Sequence, residues 1–179
     1  KEIRTNPVKD QHRSGTCWSF SALSFIETEL ARMGKPMIDA KMAVSHFIDE
    51  MRQGDKANII VFDNKVSVYT KIGASKYTLK SALDNIYTGG GTSLYDAIAK
   101  SATLMQYANG SKIIIFLTDG EDTGSRFHLK DIRNMNLSEG IFIYGIGLGN
   151  VNKSALADLA SVTGGTYHSA YSSEDLYSI

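Results

Sequence analysis

Two unbroken apolar runs constrain the fold of this chain more than any other feature. KIIIFL occupies 112–117 and IFIYGIG occupies 141–147. An apolar run without alternation suits a strand that is buried on both faces of a parallel sheet. Helical patterns lie between and around these runs, and strands that alternate with helices predict a mostly parallel sheet with helices on both faces. We therefore expect an α/β fold.

Weaker strand patterns extend this sheet on both sides. NIIVFDN at 58–64 is short and β-branched, and the apolar residues at 66–69 follow the turn dipeptide Asp63-Asn64, which predicts a hairpin. TYHSA at 166–170 predicts the last strand. Thr78 is the expected N-cap of a helix that starts there. After residue 36, the spacing of apolar residues predicts helices over 37–52, 78–87, 94–108, 127–138 and 152–163.

The segment before residue 36 has a different pattern. Its apolar residues recur at spacings of three and four, which predicts one buried face of a helix that begins near Cys17. Gly34 and Pro36 end this predicted helix. The residues on its buried face are Phe20, Leu23, Ile26, Leu30 and Met33.

Charge and composition exclude some functions. Lys+Arg and Asp+Glu both number 19, whereas nucleic-acid binding needs a basic excess or a basic stripe. No run of about 18 apolar residues occurs, so we expect no membrane span. The first ten residues are polar and do not resemble a signal peptide. Cys17 is the single cysteine, so an internal disulfide is impossible, and the cellular compartment is left open.

Two loops carry oxygen-bearing side chains at the predicted carboxyl edge of the sheet. They are GGGTSLYDAI at 89–98 and LTDGEDT at 117–123. Ligands of open α/β sheets bind at this edge. Thr92 and Asp119 offer the hard oxygen ligands that Mg²⁺ prefers. The alternative is that Asp119 only forms a turn and Thr92 only caps a helix.

The order and spacing of several segments resemble the von Willebrand factor A family over about 36–179. The resemblance implies a Rossmann-like α/β binding module with a metal-ion-dependent adhesion site. It implies that Thr92 is a direct ligand of Mg²⁺ or Mn²⁺, and that Asp119 binds directly or through water. An acidic side chain of a partner protein often completes such a site. The matching segments are KMAVSHFIDEM with DKANIIVFDN, GGGTSLYDAI, IIIFLTDGEDT, and YGIGLGN with LADLASVTGGTYHSA.

One part of the family pattern is absent. The family's first strand lies in the centre of the sheet and ends in Asp-x-Ser-x-Ser, and neither that apolar run nor that motif occurs before Pro36. Thr92 and Asp119 alone are a poor Mg²⁺ site, so we expect weak or absent divalent-metal binding. The central strand is therefore missing or replaced. Its neighbours could pair directly, another segment could fill the slot, or the sheet could be defective, and we expect direct pairing.

Residues 7–30 resemble the opening of the active site in papain-like cysteine peptidases, closest to the bleomycin hydrolase branch. The motif is Gln, five residues, then Cys-Trp-Ser-Phe. By this resemblance Cys17 is the nucleophile and Gln11 the oxyanion-hole donor. A helix that starts at Cys17 would favour the thiolate.

Papain-like catalysis also needs a histidine and an asparagine that orients it. His12, His46, His128 and His168 all lack the family's histidine context, and the alternative for Cys17 is a buried, inert thiol. We therefore divide the chain into a peptidase-like fragment at 1–36, which is no independent domain, and a von Willebrand factor A-type domain at 37–179. The leading function is protein binding. The alternatives are a thiol peptidase and a non-functional chimera.

Overall fold

A six-stranded sheet in the order β3-β2-β1-β4-β5-β6 forms the centre of the computed structural model. Its strands are β1 Ser21–Glu27, β2 Lys56–Phe62, β3 Val66–Val68, β4 Lys112–Thr118, β5 Ile141–Leu148 and β6 Tyr167–Ala170. Its helices are α1 Lys35–Glu50, α2 Lys76–Asp84, α3 Leu94–Met105, α4 Leu129–Asn134 and α5 Lys153–Ser161. The structure describes residues 21–27, 35–86, 90–135, 137, 140–149, 151–171 and 175–176.

The pairing pattern confirms the predicted α/β architecture. β1, β2, β4, β5 and β6 run parallel, and β3 alone is antiparallel. Phe62 pairs with Val66, so the predicted hairpin is present. Because the five parallel strands end at one edge, the loops that follow them meet there.

Helices cover both faces of the sheet, as predicted. Alternate residues of a strand point to opposite faces. Ile59 therefore joins a core with α1 and α2, whereas Ile60 joins a core with α3, α4 and α5. Among the described residues, no helix is long and apolar enough to cross a membrane.

Phe116 on β4 fixes the packing of the second core. Its side chain is fully buried, and its strand partner on β5 is Gly145. A Cβ atom at Gly145 would collide with the Phe116 ring. The glycine therefore makes room for the ring, and the two strands fit together as a pair.

The central strand was not predicted. Residues 21–27 form β1, not part of a helix, so the helix predicted over this stretch is wrong there. The expectation that β2 and β4 pair directly is also wrong. Phe25 pairs with Ile60 on β2 and with Phe116 on β4, so another segment fills the slot. The pairing satisfies backbone groups of β2 and β4 that would otherwise be buried without partners, and such pairing overrides local helix preference.

Two smaller predictions also fail. The N-cap of α2 is Ser75, not Thr78: the Ser75 hydroxyl accepts a hydrogen bond from the Thr78 N–H at 3.1 Å. The spacing of apolar residues in 37–52 predicts a buried helix face formed by Ile38, Val44, Phe47, Ile48 and Met51, but Ile38 is 59% exposed on α1. Val44 and Ile48 of that face are buried as expected.

Candidate functional site at the carboxyl edge of the sheet

The loop before α3 and the loop after β4 meet at the carboxyl edge of the sheet. We call this edge, formed by 90–95 and 118–125, the rim. Thr92 lies two residues before the first residue of α3, and Asp119 directly follows the last residue of β4. Thr92 is buried, at 3% exposure, and Asp119 is partly buried.

Two backbone–backbone hydrogen bonds and one backbone–side-chain hydrogen bond join these two loops directly. The Thr92 N–H donates to the Thr123 hydroxyl at 3.1 Å. The Thr92 carbonyl accepts from the N–H groups of Thr123 and Gly124, both at 2.9 Å. Thr92 is therefore fixed against the loop that Asp119 begins.

Asp122 is a second connection between the loops. Its carboxylate accepts from the Tyr95 N–H at 3.1 Å, in the first turn of α3. It also accepts from the Ser125 N–H at 3.1 Å and from the Ser125 hydroxyl at 2.5 Å. The Ser125 hydroxyl in turn accepts from the Asp96 N–H at 3.0 Å. These bonds occupy backbone donors at the start of α3, which have no acceptor within the helix.

Local chemistry explains the shape of each loop. Gly91 has a φ of +82°, and a Cβ there would collide with the Asn64 side chain. At this position a residue with a side chain would be strained, so the third glycine of the triplet, Gly91, has a physical reason. After β4, the Thr118 hydroxyl accepts from the Gly120 N–H at 3.3 Å and turns the chain.

Burial raises the pKa of Tyr95 above its ordinary value of 10.0. The carboxylates of Asp122, Glu121 and Asp158 raise it further, because they oppose the phenolate. Asp119, Glu121 and Asp122 also follow one another closely in sequence. The rim is therefore an acidic surface.

The donors at the rim do not fit a complete divalent-metal site. The described part of the chain has no group of three or more His, Cys, Asp or Glu side chains that could hold a metal ion. Thr92 and Asp119 supply one hydroxyl and one carboxylate, whereas Mg²⁺ requires near-octahedral oxygen ligation. The loop that directly follows β1, at 28–34, lies outside the described residues.

The sequence alone did not predict a role for several other rim residues. Asp122, Thr123 and Ser125 form the side-chain hydrogen bonds that join the two loops. The sequence indicated only that these residues follow a buried strand. Ser93 also went unnoticed. Its hydroxyl is buried and has no hydrogen-bond partner among the described residues.

The proposed peptidase residues Gln11 and Cys17 lie outside the described residues, as does His12. The other histidines occupy ordinary positions. His46 is on the exposed surface of α1, and His128 is the N-cap of α4. His168 lies on β6, where its Nε2 is 3.1 Å from the Thr166 hydroxyl.

A parallel sheet with helices on both faces and joined loops at its carboxyl edge defines a Rossmann-like α/β domain. A family model described as the von Willebrand factor type A domain matches residues 32–179. The chain belongs to this family, whose domains are generally protein-interaction modules.

Solved structures share this fold at low sequence identity. A von Willebrand factor type A protein from Catenulispora acidiphila matches with a TM-score of 0.80 and 18% identity, over 90% of this chain and 40% of that one. BatB, a conserved hypothetical protein from Bacteroides thetaiotaomicron, matches with a TM-score of 0.73 and 18% identity, over 89% and 94% of the two chains. These identities establish the fold alone.

A third structure is proximal thread matrix protein 1 from the mussel byssus, described with a zinc-occupied MIDAS motif. It matches with a TM-score of 0.75 and 16% identity, over 90% of this chain and 46% of that one. The present chain spans less than half the length of the mussel protein and less than half the length of the Catenulispora protein. Comparison with curated protein sequences finds no match.

Proposed function

We propose that this chain is a protein-binding domain whose contact surface is the rim around Thr92 and Asp119. The hydrogen bonds that join the two rim loops are the observation that carries the proposal. Loops held in one arrangement lose little conformational freedom when a partner binds, which favours affinity. The carboxyl edge is also where α/β sheets bind their ligands.

We further propose that Mg²⁺ or Mn²⁺ binds here weakly, because Thr92 and Asp119 lack the companions that hold such an ion. A partner's acidic side chain could complete the coordination only while an ion is present. Calorimetric titration of the chain with each ion tests this point. Micromolar affinity that disappears in Asp119→Asn would contradict weak binding.

The rim proposal is tested by chemical cross-linking of the full chain to proteins in an extract of its source. We expect Thr92→Val and Asp119→Asn to lose a cross-linked protein that the unchanged chain captures. Glu50→Gln is the matched control, because Glu50 is exposed at the end of α1, before the amino end of β2. Equal capture by all the variants, with unchanged melting curves, would contradict a rim contact.

A thiol peptidase that uses Cys17 and Gln11 stays the second candidate, because the spacing of Gln11 and the Cys-Trp-Ser-Phe motif is specific. Residues 21–27 form a strand, so the helix predicted from Cys17 does not continue through this stretch, which weakens the argument for a stabilised thiolate. Rapid stoichiometric labelling of Cys17 by a thiol-reactive peptidase inhibitor, with loss of a measured hydrolysis, would favour the enzyme. Slow labelling without any hydrolysis would contradict it.

A non-functional chimera of a peptidase fragment and a binding domain is the remaining alternative. A chain with a continuous sheet and two packed cores should unfold cooperatively. Circular dichroism during heating tests this expectation. A broad, non-cooperative profile would favour the chimera.

A further inference from the structure

A groove of about 770 Å³ lies beside the rim. Its walls come from α3, the turn between β2 and β3, and the loop before α4. Lys65, Lys100 and Arg126 line it, and all three side chains are exposed. Asp96 is the acidic residue among its lining residues. The groove therefore has a local cationic excess on a chain that is neutral as a whole.

Asp96 is already engaged in holding the loop before α4. Its Oδ1 accepts from the N–H groups of Arg126 and Phe127, both at 3.0 Å. Its Oδ2 lies 3.3 Å from Arg126 Nε, and the Asp96 side chain is only 13% exposed. Lys65 and Lys100 form no ion pair with any described residue. Two lysine charges in the groove are thus left for a ligand.

The groove also offers apolar surface between its cations. Val66, Phe127 and Met135 line it, and each is partly buried. A bare inorganic anion would leave this surface uncovered. A polypeptide with both acidic and apolar side chains would use the charges and the apolar walls together.

The neighbouring rim strengthens this assignment. Asp119, Glu121 and Asp122 make the rim acidic, so it repels an acidic ligand unless a metal ion is bound. The groove attracts the same ligand without a metal. An acidic segment that approaches this side of the molecule is therefore guided towards Lys65 and Lys100.

We propose that the groove binds an acidic segment of a partner protein, with carboxylates against Lys65, Lys100 and Arg126. Binding requires no divalent metal. The groove shares Gly124 with the rim, but neither Thr92 nor Asp119 lines it, so this proposal stands or falls independently of a rim contact at those two residues.

The test uses fluorescence anisotropy with the full chain and a labelled peptide of glutamate and valine residues, in buffer that contains EDTA. A matched peptide with glutamine in place of glutamate is the control ligand. We expect the acidic peptide to bind and the glutamine peptide to bind much more weakly. Affinity should also fall as salt rises, since exposed charges are screened.

The combined variant Lys65→Glu and Lys100→Glu should weaken acidic-peptide binding about tenfold or more, because each reversal replaces attraction by repulsion. Lys65→Gln with Lys100→Gln should weaken it less. Arg52→Glu is the matched control and should change nothing, since Arg52 is exposed beyond the end of α1, a helix that covers the other face of the sheet. Circular dichroism checks the fold of each variant.

Three results would overturn the proposal. The first is equal binding of the acidic peptide to the unchanged chain and the double variant. The second is binding that requires Mg²⁺ and disappears in Asp119→Asn, which would move the contact to the rim. The third is binding of inorganic phosphate or heparin, but not of the peptide, with the same dependence on Lys65 and Lys100.

Discussion

The rim and the groove lie side by side on the same loops but are built in opposite ways. Carboxylates dominate the rim, and one of them, Asp122, accepts three hydrogen bonds that fix the loop after β4. Cations dominate the groove, and two of them, Lys65 and Lys100, make no ion pair with described residues. The comparison separates charges that hold the fold together from charges that remain available to a ligand.

Replacing Asp122 should have the largest effect on stability. Asp122→Ala leaves three partly buried donors without an acceptor, so we expect the free energy of unfolding to fall by about 2–3 kcal/mol. Urea unfolding measures this loss. Glu121→Ala is the matched control, because Glu121 is the exposed neighbour. Equal losses in both variants would show that Asp122 has no special structural role.

Asp96 lines the groove and directly follows the rim residue Tyr95, and replacing it should have an intermediate effect on stability. Asp96→Ala removes the acceptor of two backbone N–H groups, and we expect a loss of about 1–2 kcal/mol in the free energy of unfolding. Asp96→Asn keeps an acceptor oxygen and should cost less. It also removes the negative charge of the groove, so it should tighten acidic-peptide binding in anisotropy measurements. Weaker binding by a folded Asp96→Asn variant would contradict a cationic groove.

Sequence patterns were sufficient to predict some strands of the sheet but not its central strand. β4 and β5 were predictable because a strand buried on both faces has to be apolar throughout, whatever its neighbours. β1 was not, because apolar residues such as Leu23 and Ile26 fit a helical period and the pairing with β2 and β4 involves residues far along the chain. β1 is a strand because it pairs with β2 and β4, and the local spacing of apolar residues contains no information about that pairing.

The site shows a similar division. Thr92 and Asp119 could be placed near each other because parallel strands end at one edge and because the family resemblance aligned both loops. Asp122 and Thr123 could not be assigned a role. Their hydrogen bonds depend on the distance between two loops that are about 30 residues apart in sequence, as for Thr92 and Thr123.

The groove lysines should have almost no effect on stability. Lys65→Glu with Lys100→Glu should change the free energy of unfolding by no more than about 0.5 kcal/mol, because both side chains are exposed and unpaired among the described residues. Urea unfolding of this double variant, beside its loss of peptide binding, separates folding from recognition. A loss as large as that of Asp122→Ala would mean that these cations support the fold.

Replacing Tyr95 should have the smallest effect on the free energy of unfolding, and this effect should be measurable only at alkaline pH. Burial first, and then the carboxylates of Asp122, Glu121 and Asp158, raise the pKa of this phenol in the folded chain above 10.0. Below about pH 10 the phenol is neutral in both states, so its contribution to stability is fully present. As pH rises further, the unfolded chain ionises first, and the free energy of unfolding falls until the folded-state pKa is passed.

Tyr95→Phe removes this proton linkage, so the alkaline decline in stability should become shallower. Urea unfolding across the alkaline range measures the slope. Tyr107→Phe is the matched control, because Tyr107 is 89% exposed. Equal slopes for the unchanged chain and Tyr95→Phe would mean that neither burial nor the rim carboxylates raise the pKa of this phenol in the folded chain. The rim would then be less acidic than its sequence implies, and the contrast with the cationic groove would weaken.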